Sequence, residues 1–204
     1  MTGQRARYEE ILAFWFAGSN SDPLLIEPRV DVWFGAAAPD AEIREHFAID
    51  VAQASSGRLD GWRAEPQGRL ALIVLLDQFR RSLFRGTAAA FARDERSLAL
   101  TLEGLERAED LALSLAERIF FFLPLQHAES RDAQALSVRK FAELEEMADA
   151  AWRAPFTRSI ESAREHRDII ARFGRFPHRN RALGRTSTPK EAAYLAAGGA
   201  TFGQ

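Results

Sequence analysis

Apolar residues in this chain recur every three or four positions almost from end to end, and nowhere do they alternate with polar ones. That period constrains the fold more than any other feature. One face of a helix repeats every 3.6 residues, whereas the buried face of a strand repeats every two. Tyr8, Ile11, Leu12 and Trp15 make a first stripe, and Ile43, Phe47, Val51 and Ala54 a second, behind a cap at Asp40. Pro66 suits the first turn of a third helix, which carries the apolar block "LALIVLL" from Leu70 to Leu76. Leu98, Leu102 and Leu105 form a fourth stripe. Ser114 and Glu117 make a capping box in front of "SLAERIFFFL", a helix that Pro124 is expected to end or kink. Leu136, Phe141, Leu144 and Met147 mark a sixth, with Lys140 beside Phe141. Phe156, Ile160, Ala163, Ile170 and Phe173 mark a seventh, stopped by Gly174. Thr188-Pro189-Lys190-Glu191 joins a cap, a first-turn proline and a capping glutamate, the clearest helix start in the chain. The predicted fold is all-α: an antiparallel array of seven to nine helices, no sheet, one domain over residues 1–204. The exception is Gly18 to Pro39, rich in breakers, which reads as a loop packed onto the body through Trp33 and Phe34.

Composition excludes several classes of function. The chain has 204 residues, enough to bury roughly 70% of its unfolded surface. Its net charge of -2 and pI near 6.1 argue against a nucleic-acid partner, which calls for a basic excess. There is no cysteine, hence no disulfide, thiolate metal site or cysteine nucleophile. No stretch reaches the roughly 20 apolar residues of a membrane span. The polar start "MTGQRARYEE" and the short run Ile11 to Ala17 do not make a signal peptide, so the cytoplasm is the expected location. No motif calls for a metal or cofactor.

Three segments carry chemistry. In "LDQFRRSLFRG", Asp77 precedes Arg80 and Arg81 by three and four residues, which places the three on a common helix face. An acid following a fully apolar block is expected to be buried and to need a partner. An Asp–Arg staple meets that need; so does an Asp77 that orients an arginine facing a pocket. In "FLPLQHAES", His127 and Glu129 follow a proline; a histidine near an acid could act as general base or metal ligand, but the pair lacks the further ligands of a metal motif, and a hydrogen-bonded structural histidine is the better reading. The third segment is "RFGRFPHRNRALGR", where five of fourteen residues from Arg172 to Arg185 are arginine. Just before it lie His166 and Arg167; within it lie Arg175, His178, Arg179 and Asn180. All but two of the 27 basic residues are arginines, the exceptions being Lys140 and Lys190, so arginine usage alone is unremarked; its clustering is not. A planar guanidinium binds carboxylate or phosphate through two parallel bonds. Such a loop either faces an anion or caps the carbonyl ends of neighbouring helices.

Taken together, "FWF", "GRLALIVLLDQFRRSLFRG", "FARD", "FLPLQHAES" and "HRDIIARFGRFPHRNRALGRTSTPKEAAYL" resemble the uncharacterised bacterial family called domain of unknown function 924, over roughly Tyr8 to Leu195. The resemblance implies a helical array near the tetratricopeptide-like superfamily, although the sequence shows no 34-residue repeat. It brings no activity. Its motif positions fall on Asp77, Gln78, Arg81, Arg85, His127 and Glu129, then on His166, Arg167, Phe173, Gly174, Arg175, Pro177, His178, Arg179, Asn180, Gly184 and Arg185. Ser82 stands where the family pattern has Asn, and Ala128 where it has Ser, each change altering one hydrogen-bonding partner.

Three functions follow. The first is a binding protein whose pocket, lined by Arg81, Arg85, His166, Arg167, Arg175, His178, Arg179, Asn180 and Arg185, holds a small anion or a peptide carboxylate. The second is a metal-independent acid/base enzyme drawing on His127, Glu129, His178 and Asp77. The third is an interaction scaffold without a ligand site. Helical arrays also present grooves that suit self-association into a homo-oligomer.

Overall fold

The computed structural model describes residues 6–35, 39–150 and 153–203, and every regular element among them is helical. The chain opens with α1 (Arg7–Phe16), α2 (Ile26–Phe34) and α3 (Asp40–Ser56). Next, α4 (Pro66–Ile73) passes through a π-helical segment (Val74–Phe79) into α5 (Arg80–Leu83). Then come α6 (Asp94–Glu106), α7 (Leu115–His127), α8 (Arg131–Met147), α9 (Arg153–Phe173) and α10 (Pro189–Ala196). With α4 to α5 taken as one continuous helix, the described residues hold nine helices and no strand. None is long and apolar enough to cross a membrane.

Both predicted capping boxes form. Ser114 Oγ accepts from the Glu117 N–H while the Glu117 carboxylate accepts from the Ser114 N–H, and Thr188 and Glu191 repeat the exchange. Gly174, at φ 73°, ends α9 in the left-handed conformation. Four local expectations need correction. Pro124 does not end α7, which runs on to His127, so of the two expected effects the stop is ruled out. Asp40 is the first helical residue of α3, not its cap, and its carboxylate accepts from Arg85. The stretch Gly18–Pro39 contains a helix, α2, whose Trp33 is buried; residues 36–38 of that stretch lie outside the described residues. In α6 the inward face is Ser97, Leu100, Thr101 and Gly104, while Leu102 is 38% exposed. Space decides it: a Cβ on Gly104 would stand 2.5 Å from Phe121 Cζ and 2.8 Å from Arg69 Cδ, so only small side chains fit there.

Packing turns these helices into a frame for one interior. Trp15, Phe16, Trp33 and Phe120 meet largely edge to face, with Trp33 and Phe120 centroids 4.8 Å apart. Such contacts add about 0.5–1.5 kcal/mol a pair to the burial itself. Arg69, fully buried, ties α4 to α6 through Glu103 (3.1 Å) and to the turn after it through Glu109 (2.6 Å). The helices α7, α8 and α9 form successive antiparallel hairpins: Arg131 at the start of α8 donates to Ala171 O near the end of α9, and Thr157 near the start of α9 donates to Glu145 near the end of α8. A second, smaller core of Ile169, Ile170 and Phe176 joins the end of α9 to Tyr194, Ala200 and Phe202 of the C-terminal segment.

Candidate functional site

Asp77 sits in the π-helical segment with its side chain fully buried. A π turn spaces its hydrogen bonds five residues apart instead of four, and such turns concentrate at functional sites. The Asp77 carboxylate accepts from Gln78 Nε2 at 2.5 Å and pairs with Arg81 Nη1 at 3.2 Å. It also holds His127 Nδ1, 2.8 Å from one oxygen and 2.9 Å from the other. Burial alone would raise the Asp77 pKa, but Arg81 and His127 outweigh it and hold the group below the usual carboxylate range. Of the two arginines expected beside it, only Arg81 is a partner; Arg80 turns away, to Ser55 Oγ and Ala89 O.

His127 is the last residue of α7, a place where carbonyls lack helical partners. Gln134 of α8 meets that need, donating from Nε2 to Gln126 O (2.6 Å) and Ala128 O (2.9 Å) on either side of the histidine. The backbone of His127 is thereby pinned. Burial pushes the imidazole below its ordinary pKa, Asp77 pulls it part of the way back, and Arg81 pushes it down again. A neutral ring against an ionised carboxylate carries its proton on Nδ1, which leaves the Nε2 lone pair on the side away from Asp77.

The 3-10 turn Pro177–Arg179 brings the C-terminal loop into this cluster. Arg179 donates to His127 O at 3.0 Å and to Asp94 Oδ2 at 3.1 Å, while Arg81 grips the same Asp94 through both oxygens, at 3.1 and 3.0 Å. Burial and then Arg81 lower the Arg179 pKa to about 10.

These groups form the polar end of a cavity of about 810 Å³. Gln78, Arg81, His127, His166, His178 and Arg179 line that end; Trp15, Trp33, Phe34, Ile119, Leu123 and Phe141 form an apolar wall. Arg85, paired with Asp40 at 3.2 Å, and the C-terminal Phe202 and Gly203 also line it. Phe202 stacks on His166 at 3.7 Å, and Gly203 O accepts from Arg85 at 2.9 Å. Four lining residues carry a buried polar atom with no partner: Trp15 Nε1, Gln126 Oε1, His178 Nδ1 and Arg179 Nε. Native proteins leave few such atoms unsatisfied, and here they share one cavity. Burial first, and then neighbouring positive groups, push His166 and His178 each down to about 3.

The cavity thus gathers Arg81, Arg85, His127, His166, His178 and Arg179 from the residues singled out in the sequence, with Asp77 directly behind them. The others do not line it. Arg175 holds Glu191 through two bonds (2.7 and 2.9 Å), and Arg185 holds Glu129 likewise (2.7 and 3.0 Å). Burial would raise Glu129, but Arg185 and the Phe176 N–H bring it below its ordinary value, whereas hydrogen bonding to Arg175 leads in lowering Glu191 to about 2. Asn180 bonds Ser187 and Arg185, and Arg167 bonds the exposed Asp168. Asp94, Gln134 and Trp15 carry much of the site and were not expected there. Asp94 ends the "FARD" motif, yet no spacing rule ties it to Arg179, 85 residues away. No group of three metal-ligating side chains occurs among the described residues.

Fold and site define an all-helical protein with a buried Asp–His–Arg cluster opening onto an aromatic-walled cavity. The chain belongs to the bacterial family of unknown function DUF924, whose model matches residues 11–199. It is also similar to the solved structure of a protein of unknown function from Agrobacterium tumefaciens, at 36% identity and a TM-score of 0.75, over 93% of this chain and 97% of that one. A search of curated proteins found no match.

Proposed function

We propose that the cavity binds a small organic anion, its charged group at the arginine and histidine end and its apolar body on the Trp15–Trp33–Phe141 wall. The observation that carries this reading is the lining itself. Arg81, Arg85 and Arg179 line one end together with His127, His166 and His178, and unpartnered donors stand on Arg179 and Trp15. Behind the lining, Asp77 and Asp94 hold Arg81 and Arg179 in place. A buried donor without an acceptor costs about 1–3 kcal/mol, which a ligand oxygen would recover. The volume is within the roughly 300–1,000 Å³ range of small-molecule sites. The test is a fluorescence titration with benzoate, phenylacetate and phenyl phosphate, since Trp15 reports from inside the cavity. Saturable binding that weakens at least tenfold in Arg179→Gln supports the reading; no binding by any of the three, or binding indifferent to Arg179, overturns it.

A second reading is an acid/base enzyme, favoured by the fixed Asp77–His127 pair. Asp77 would hold the ring in the tautomer whose Nε2 accepts a proton, as a general base requires. Turnover of a bound anion that stops in His127→Gln while binding persists would distinguish enzyme from binding protein.

A further inference from the structure

A shallow groove of about 510 Å³, sharing no lining residue with the large cavity, lies between α3 and α5. Arg44, Arg80 and Arg93 line it, and no acid does. None of the three forms an ion pair with a carboxylate among the described residues. Arg80 is the unusual member. Its residue is 8% exposed, yet its guanidinium meets only neutral acceptors, Ser55 Oγ at 2.8 Å and Ala89 O at 2.5 Å, and the face of Phe84 at 4.9 Å. Its Nε has no partner at all. Arg93 takes the neutral Ser55 O and Ala92 O.

Arg29 and Arg118 also meet only neutral acceptors, but each stands apart from this groove and its cluster of arginines; several other buried or half-buried arginines are neutralised. Arg69, Arg81, Arg175, Arg179 and Arg185 each hold at least one carboxylate. Carbonyls at the end of α3 contribute at most about half a negative charge, against three positive ones. Burial, and next the neighbouring Arg93, push Arg80 below its ordinary pKa, and the attraction of Asp94, which makes no ion pair with it, does not make up the loss. A buried charge without a counter-charge is costly unless something outside the chain supplies one.

We propose that this groove is a second, independent anion site, taking a small phosphate-bearing solute. The arginines present forked donors for a multiply charged oxyanion, which a single carboxylate matches less well. Val51, Ala52 and Leu83 beside them leave room for a short apolar portion.

Arg44 and Arg93 are exposed, so their replacement by Gln leaves the core untouched. The melting temperature is followed as inorganic phosphate is titrated at fixed ionic strength, with sodium chloride and sodium acetate as controls. Phosphate should raise it in proportion to the logarithm of concentration past saturation. Acetate and chloride should not. The double variant Arg44→Gln, Arg93→Gln should lose the response, and Arg179→Gln, in the large cavity, should keep it. Backbone amide shifts in ¹⁵N spectra should move at residues 52–56 and 89–93. A phosphate effect no larger than that of chloride, or one that survives the double variant, overturns the proposal and leaves the large-cavity reading untouched.

Discussion

Mild acid should destabilise this protein through His166. The residue is 3% exposed, its Nδ1 donates to Ser162 O at 2.8 Å, and Phe202 covers its ring. Burial, then His127, Arg179 and His178, hold its pKa at about 3 in the folded state. Unfolded, a histidine titrates near 6.5. Between those values the unfolded chain binds a proton that the folded chain refuses, so stability must fall as pH falls. Integrated from about pH 7 to about pH 5, one such histidine removes about 2 kcal/mol. His178, also near 3 but less buried, adds a loss of the same sign and at most the same size. Asp77 works in a different window: its lowered pKa leaves its contribution intact at about pH 5, to be lost only below the unfolded carboxylate value of about 3.9. Urea unfolding followed by tryptophan fluorescence at the two pH values measures the difference. His166→Gln is expected to be less stable at both, but to lose about 2 kcal/mol less on acidification than the parent. A parent whose stability is the same at both pH values, or a variant with an unchanged loss, would refute the assignment of His166 as a neutral, buried base.

Asp77→Asn keeps the shape of the side chain but strips Arg81 and His127 of their shared counter-charge, and should cost about 3–5 kcal/mol, read as a lowered unfolding midpoint; an unchanged midpoint would mean that the carboxylate is not paired. Thr188→Ala removes the cap of α10 and should cost about 1 kcal/mol, with the loss confined by hydrogen exchange to residues 189–196. Gly104→Leu should cost at least about 1–3 kcal/mol through overpacking against Phe121 and Arg69, whereas Leu102→Ala on the exposed side of the same helix should be close to neutral in the same thermal melt.

The helices were legible because periodicity and caps are local. Ser114 with Glu117 and Thr188 with Glu191 need only their own spacing to declare a helix start. The burial of Asp77 was also legible, as an acid hard against a long apolar block. What spacing does not reveal is which face of a helix meets a close neighbour. In α6 three leucines at helical intervals point outward or halfway, because the adjoining α7 approaches too near for anything larger than Ser97, Thr101 and Gly104. The site was divided in the same way. Residue types marked the histidines and arginines, but the partner of each is set by long-range packing. The arginine-rich loop divides: Arg175 and Arg185 are neutralised by Glu191 and Glu129, and Arg179 reaches the cavity. Meanwhile Arg80, next to Arg81 in sequence, belongs to another surface altogether.

The widened turn from Val74 to Phe79 means that the candidate site depends on the length of the chain as well as on its side chains. One residue advances a helix by about 100°. A π turn takes up one extra residue while the turns on either side keep nearly the same orientation, so shortening this segment by a single position would let it close into regular α-helix with its flanks in place and only the residues of the widened turn redirected. Asp77, inside the widened turn, would change its direction relative to His127, which lies on another helix, with no change in the chemistry of any residue. A substitution scan through this helix would register only the individual groups. The register that holds them would show itself only in one-residue deletions and insertions.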